Sequence, residues 1–312
     1  MSSVNFGNFL QLLVDGVFNG TAYALIGVGF SLILSVSGRF HIAYAMTYTL
    51  AAYVAAWMGT QFGMPFWVAL LIGALAASVA GALMERLIYL PLSLRALSIG
   101  SDPLLIMFVA SLGLTVILRN GIALATLSQS SVNIQGFNNQ GLNWGPITVT
   151  TLNLTMFVTT WVMVFGLWAI LNLTSLGRMV RAVRANWEMS LCVGIDPSLI
   201  FVAVFVIGSF FSGVGGVFQA TFSSATPELG LNGPFFYALV VAFVAGLTSG
   251  PIRIALVGVA LGVVEAMSTL FLPTQFTPLV VFAILFFYVA LRPVNFGSLR
   301  RKLLPKPQAA AG

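Results

Sequence analysis

The chain reads FLQLLVDGVFNGTAYALIGVGFSLILSV from Phe9 to Val36, with one acid, Asp15, and no base. About 20 mainly apolar residues, each rising about 1.5 Å, are enough for a helix to cross the hydrocarbon core. This run is longer than the apolar region of a secretory signal, and no base precedes Arg39. It is therefore expected to remain as a membrane span and not to be cleaved. Similar runs follow at 42–59, 66–90, 103–125, 154–173, 199–222, 234–249, 252–272 and 278–291. Gly63-Met64-Pro65 closes the second, Pro91 ends the third, and Ser249-Gly250-Pro251 stops the seventh. The expected fold is all-α, a polytopic membrane helical bundle of about eight or nine spans in one domain over residues 1–312.

Composition supports this reading. Of 312 residues, 59% are apolar and 6% charged, against roughly 25% charged in soluble domains. So few charges cannot cover a water-facing surface, so most of the exterior must meet lipid. The thirteen bases form no nucleic-acid patch. They gather in a tail over 293–312 and beside it (Arg292, Arg300, Arg301, Lys302, Lys306), and at Arg178, Arg181 and Arg184. Bases on the cytoplasmic side set orientation, which places 174–198 and the C-terminus in the cytoplasm. The uncharged stretch 126–153 then falls outside, and Ile147-Thr148-Val149-Thr150 alternates as a strand of a small hairpin.

Reactive side chains are few. One cysteine, Cys192, excludes an internal disulfide, and one histidine, His41, excludes a His-rich metal site. No phosphate loop is present and no lysine precedes Lys302, so the chain cannot hydrolyse ATP by that route. No cofactor is expected, and no enzyme. Ionisable groups inside spans are costly and point to function by default. Asp15 and Glu265 are the candidates. Glu265 either lines a path, pairs with a partner subunit, or accepts hydrogen bonds from a neighbouring helix. Glu85 and Arg86 form an adjacent pair. Arg39-Phe40-His41 breaks the apolar pattern and is either an interfacial turn or the lining of a wet cavity. Gly246-x-x-x-Gly250 and Gly258-x-x-x-Gly262 carry the spacing of close helix contacts. Tyr23-Ala24-Leu25 recurs as Tyr237-Ala238-Leu239.

Segment 174–198 reads as a short amphipathic helix. Thr174 or Ser175 caps its start, Gly194 and Pro197 end it, and Arg184 stands four residues before Glu188. It is either a helix held by anionic membrane lipid or a docking element for a soluble partner.

Taken in order, these elements resemble the shorter permease type of branched-chain amino acid ABC importers. The resemblance covers about 10–295. It rests on the Gly20-x-x-Tyr23-Ala24-Leu25-Ile26-x-x-Gly29 run and on His41-Ile42-Ala43-Tyr44-Ala45, where only the alanine of the family's Asn-Phe-Ala-His-Gly element is kept. It also rests on Glu85 to Pro91-Leu92, on Leu176-Gly177-Arg178 with Arg181-Ala182, on Glu188-Met189-Ser190-x-x-x-Gly194, and on Gly258-x-x-x-Gly262-x-x-Glu265. The resemblance implies a bacterial inner membrane location and a type II importer-like fold with broken helices near the midplane. It implies a second related permease, two ABC ATPase subunits that use the ATP, and a periplasmic or lipid-anchored solute-binding protein. Residues 174–198 would couple to the ATPase through Gly177, Arg178, Arg181, Arg184, Glu188 and Gly194. Tyr23, Phe40, His41, Tyr44 and Glu265 would line the path or gate for an amino acid or similar small polar solute. The rival is an ion-coupled secondary transporter using Glu265 or Asp15.

Overall fold

A computed structural model describes residues 6–99, 103–126, 134, 137–145 and 147–291. The basic tail 293–312, with Arg292, lies outside them. The chain forms a helical bundle with one small hairpin. α1 (Phe6–Ser37) is followed by α2 (Tyr44–Phe62) and α3 (Phe66–Leu83), which continues through a π-helical turn, Met84–Tyr89, into α4 (Leu90–Ile99). Then come α5 (Pro103–Ala125), β1 (Gly141–Trp144), β2 (Ile147–Thr150) and α6 (Thr151–Leu173). The remainder comprises α7 (Ser175–Ala185), α8 (Trp187–Cys192), α9 (Pro197–Phe222), α10 (Pro234–Ala245), α11 (Pro251–Ser268), a 3-10 turn at Thr274–Phe276, and α12 (Thr277–Leu291).

Among the described residues, six helical stretches are long and apolar enough to cross a membrane. They are Gly7–Ser37, Phe66–Arg95, Leu105–Ala125, Thr151–Leu173, Pro197–Phe222 and Pro251–Ser268. α10 and α12 are apolar but shorter. The protein is a multi-pass membrane protein. On α3 and its continuation, Trp67, Leu71, Leu75, Val79, Leu83 and Leu87 are all exposed and stand four residues apart. That is one apolar ridge along a helix, suited to lipid.

Pro91 does not end the third helix. The π turn widens just before it, and the Leu90 N–H donates to the Glu85 carbonyl five residues back. The wider turn accommodates a ring that lacks an N–H and crowds the preceding turn. The hairpin forms as read, with Gly141 opposite Thr150 and Trp144 opposite Ile147. Gln11 clamps it to α1, accepting from the Thr148 N–H at 2.8 Å and donating to the Thr148 carbonyl at 3.0 Å.

α1 is the axis of the bundle and packs on α11, α9, α10 and α6. Its seam with α11 is built from small residues. A Cβ on Gly16 would lie 2.7 Å from Val263 Cα, and one on Gly20 2.6 Å from Val259 Cα. Gly258 and Gly262 meet Ala24 and Gly20 in the same way, so the two helices run antiparallel. Without hydrophobic drive between helices in lipid, such close approach supplies the packing energy. Gly246 and Gly250 do not take part. They flank the break between α10 and α11.

Two chain reversals end inside the bundle and not at its rim. The Tyr44 hydroxyl, on the first residue of α2, donates to the Ile26 carbonyl at 2.8 Å. Ile26 lies eleven residues before Ser37, about 16 Å along α1. Residues 38–43 must therefore re-enter the bundle. Residues 223–233 do the same from the other end. The Gly230 N–H donates to Thr49 Oγ1 at 3.0 Å, and α10 then starts with Phe235 against Phe30.

Replacing Gly20 or Gly262 with leucine is expected to abolish the folded species, read as loss of the monodisperse peak of a fluorescent fusion in detergent. Gly113→Leu, where nothing lies within 4 Å, should leave that peak in place.

Candidate functional site

The predicted path residues divide into two clusters. Phe40, His41 and Tyr44 come together where 38–43 re-enters. Phe40 packs edge-on to Phe30 and Phe235 and meets Phe108. Tyr44 is held by Ile26, and its own carbonyl accepts from Ser212 Oγ at 3.2 Å. His41 is fully buried, with Nδ1 2.9 Å from the Tyr89 hydroxyl and Phe205 at 4.9 Å.

Arg39 is not part of an interfacial turn. It is buried, and it forms an ion pair with Glu85, which is completely buried. Glu85 therefore binds Arg39 and not its neighbour Arg86. Arg39 also reaches Ser93 at 3.4 Å and stacks over Phe201 at 4.9 Å. Glu85 and Tyr89 both belong to the π turn, so one widened turn grips both Arg39 and His41. Among the described residues, Glu85 Oε2 and His41 Nε2 have no hydrogen-bond partner.

Tyr23 and Glu265 form the second cluster. The Tyr23 hydroxyl donates to Glu265 Oε2 at 2.6 Å. Tyr237 on α10, which sequence reasoning did not include, donates to Oε1 at 2.8 Å. The two rings stack at 4.1 Å with planes 13° apart. The recurring Tyr-Ala-Leu was the available signal, and its two tyrosines meet on one carboxylate. Asp15 accepts from Gln11 at 2.9 Å.

Segment 174–198 is two helices and not one. Thr174 caps α7, accepting from the Gly177 N–H at 3.4 Å. Asn186 breaks the helix and caps α8 through Glu188 and Met189 N–H groups at 3.0 and 3.1 Å. This break lies between Arg184 and Glu188, so their expected pair does not form. Arg184 instead donates to the Leu247 carbonyl at 2.6 Å, in the α10–α11 connection. Burial lowers its pKa from the ordinary arginine value. Arg181 caps the Leu171 carbonyl at the end of α6. Gly177 is buried so tightly that a Cβ would meet the Leu171 backbone. Arg178 is exposed. Trp187, Met189, Leu191 and Val193 form an exposed apolar patch on and after α8. Gly194 follows with φ 80°.

Glu85→Ala strands the buried Arg39 charge and is expected to cost about 3–5 kcal/mol. Thermal unfolding in detergent should show a large drop, and Arg39→Met with Glu85→Met together should recover most of it.

The family described as branched-chain amino acid transport system / permease component matches residues 12–289. The high-affinity branched-chain amino acid transport system permease protein LivH of Salmonella typhimurium is 28% identical over 310 residues, covering 94% of this chain and 96% of that protein. LivH of Escherichia coli is 27% identical over the same span. BraD of Pseudomonas aeruginosa, with the same description, is 27% identical over 306 residues, 92% of this chain and 95% of its own. No solved structure matches the chain. With the match running from the second turn of α1 into α12, this chain belongs to the branched-chain amino acid transport permease family.

Proposed function

We propose that the chain is the membrane permease of an ATP-driven importer for amino acids or similar small polar solutes. It would work beside a second related permease, two ABC ATPases and a periplasmic or lipid-anchored binding protein. The chain itself holds no cofactor in this reading, and the ATPases use the ATP. The location is the bacterial inner membrane, with α7, α8 and the basic tail in the cytoplasm. α2, α10 and α12 complete about nine membrane-embedded segments in a type II importer-like arrangement.

The observation that carries this reading is the α7–α8 platform. A helix pair bearing exposed Arg178 and an apolar patch from Trp187 to Val193 suits a protein groove better than water. Its buried side is tied to two other elements at once. Val180 and Val183 are buried, Arg181 holds the end of α6, and Arg184 holds the α10–α11 connection. A pull on the platform therefore reaches α10, which carries Phe235 and Tyr237. Nucleotide binding at the ATPases would bias two arrangements of the permease pair. Phe40, His41 and Tyr44 at the re-entrant segment, with Tyr23 and Glu265, would form the path or gate.

The test is uptake by proteoliposomes holding the complete transporter. Met189→Glu with Leu191→Glu is expected to abolish both ATPase co-purification and uptake. Arg184→Met should retain the ATPases and lose most uptake, because docking survives while the link to α10 does not. Uptake that needs no ATP and follows a proton or sodium gradient would overturn the importer reading in favour of coupling through Glu265 or Asp15.

A further inference from the structure

Glu265 is a carboxylate in a membrane-spanning helix, and among the described residues no base pairs with it. The ion pairs among the described residues are Arg39–Glu85 and Arg119–Glu228. Glu265 has two phenol donors, one on each oxygen. Each carboxylate oxygen has room for about two donors, so among the described residues one acceptor position on each is unused. The group is half-buried and not sealed, as are Tyr23 and Tyr237. Two neutral hydroxyls orient the carboxylate but leave its charge uncompensated, which is expensive at membrane depth. What completes this arrangement chemically is a cationic N–H donor. Stacked tyrosine rings beside the carboxylate also favour a cation electrostatically.

We propose that Glu265, Tyr23 and Tyr237 bind the ammonium group of the transported solute, which would be a primary amine or amino acid. The inference rests on the importer reading and deepens it. A fixed base from a partner subunit is the competing occupant, and the placement of Tyr237 favours the solute. Tyr237 stands on the first turn of α10, directly after the re-entrant segment, and the far end of α10 runs into the connection that Arg184 grips. Half of the clamp is thus mounted on a helix tied to the coupling platform. Motion of α10 would separate Tyr237 from Tyr23 and release an ammonium group. A static inter-subunit ion pair has no use for that linkage.

The experiment uses the complete transporter in membranes. A hydrophobic carbodiimide labels accessible carboxylates, and peptide mass spectrometry reads the Glu265 adduct, with Glu265→Gln as the blank. Isobutylamine and L-leucine are expected to slow labelling of Glu265 several-fold, and 4-methylpentanoate, which has the same carbon skeleton and no amine, should not. Equal labelling with all three, equal protection by the amine-free acid, or no labelling of Glu265 under any condition would each overturn the proposal. The last two results would point to an apolar pocket and to a partner base, respectively. In uptake assays, Glu265→Gln should raise the KM for L-leucine on the order of tenfold, as expected for a charge-assisted hydrogen bond, with ATPase co-purification unchanged. Amine protection without ATP-dependent uptake would uphold the site and reject the importer. ATP-dependent uptake without amine protection would do the reverse.

Discussion

Backbone polar groups at membrane depth have no water to bond, and the whole bundle is arranged around that constraint. Regular helices satisfy it internally. The segments 38–43 and 223–233 do not, and each turns back into the protein. Short backbone turn bonds meet some of their groups, and side chains meet others. Ser111 Oγ accepts from the Ala43 N–H at 3.0 Å, and Thr49 Oγ1 accepts from the Gly230 N–H at 3.0 Å. Ser212 and Thr47 bond to each other and to the Tyr44 carbonyl. These four hydroxyls stand where water would stand in a soluble protein.

The two reversals are related by more than analogy. α1, the re-entrant segment, α2 and α3 occur in the same order as α9, the second re-entrant segment, α10 and α11. α3 packs on α9 as α11 packs on α1. α1 and α9 run antiparallel at their contact, where Gly29 faces Gly208 and Ile26 faces Gly215. The two halves therefore sit with opposite sense in the membrane, with broken elements at the centre of each. In other membrane transporters this is the architecture that places a site near the midplane. The repeated Tyr-Ala-Leu does not mark it, since α1 and α10 are not equivalent in this scheme. Its tyrosines are contact partners.

Two carboxylates show how environment separates roles. Glu85 is sealed, charge-paired with Arg39 and placed by a π turn, so it holds the re-entrant segment in place. Glu265 is half-open, hydrogen-bonded by phenols and has no paired base among the described residues. The same residue type is a structural lock in one place and a candidate binding group in the other. The difference lies in which charges surround each.

The sequence by itself determined the membrane class, most helix limits, the hairpin and the family. Each of these rests on local composition and periodicity: apolar length, Gly and Pro stops, alternation at Ile147–Thr150, and motif order. It also marked Arg39, His41, Glu85 and Glu265 as unusual, because charge in an apolar run is visible without a fold. Only the tertiary structure decided their partners. Arg39 meets Glu85 across 46 positions, and Tyr23 meets Glu265 across 242. Arg184 turned from Glu188 to the Leu247 carbonyl because Asn186 breaks the helix between them. Pairing across such distances depends on helix packing, which is set by where Gly16, Gly20, Gly258 and Gly262 let backbones touch. No local pattern records that register.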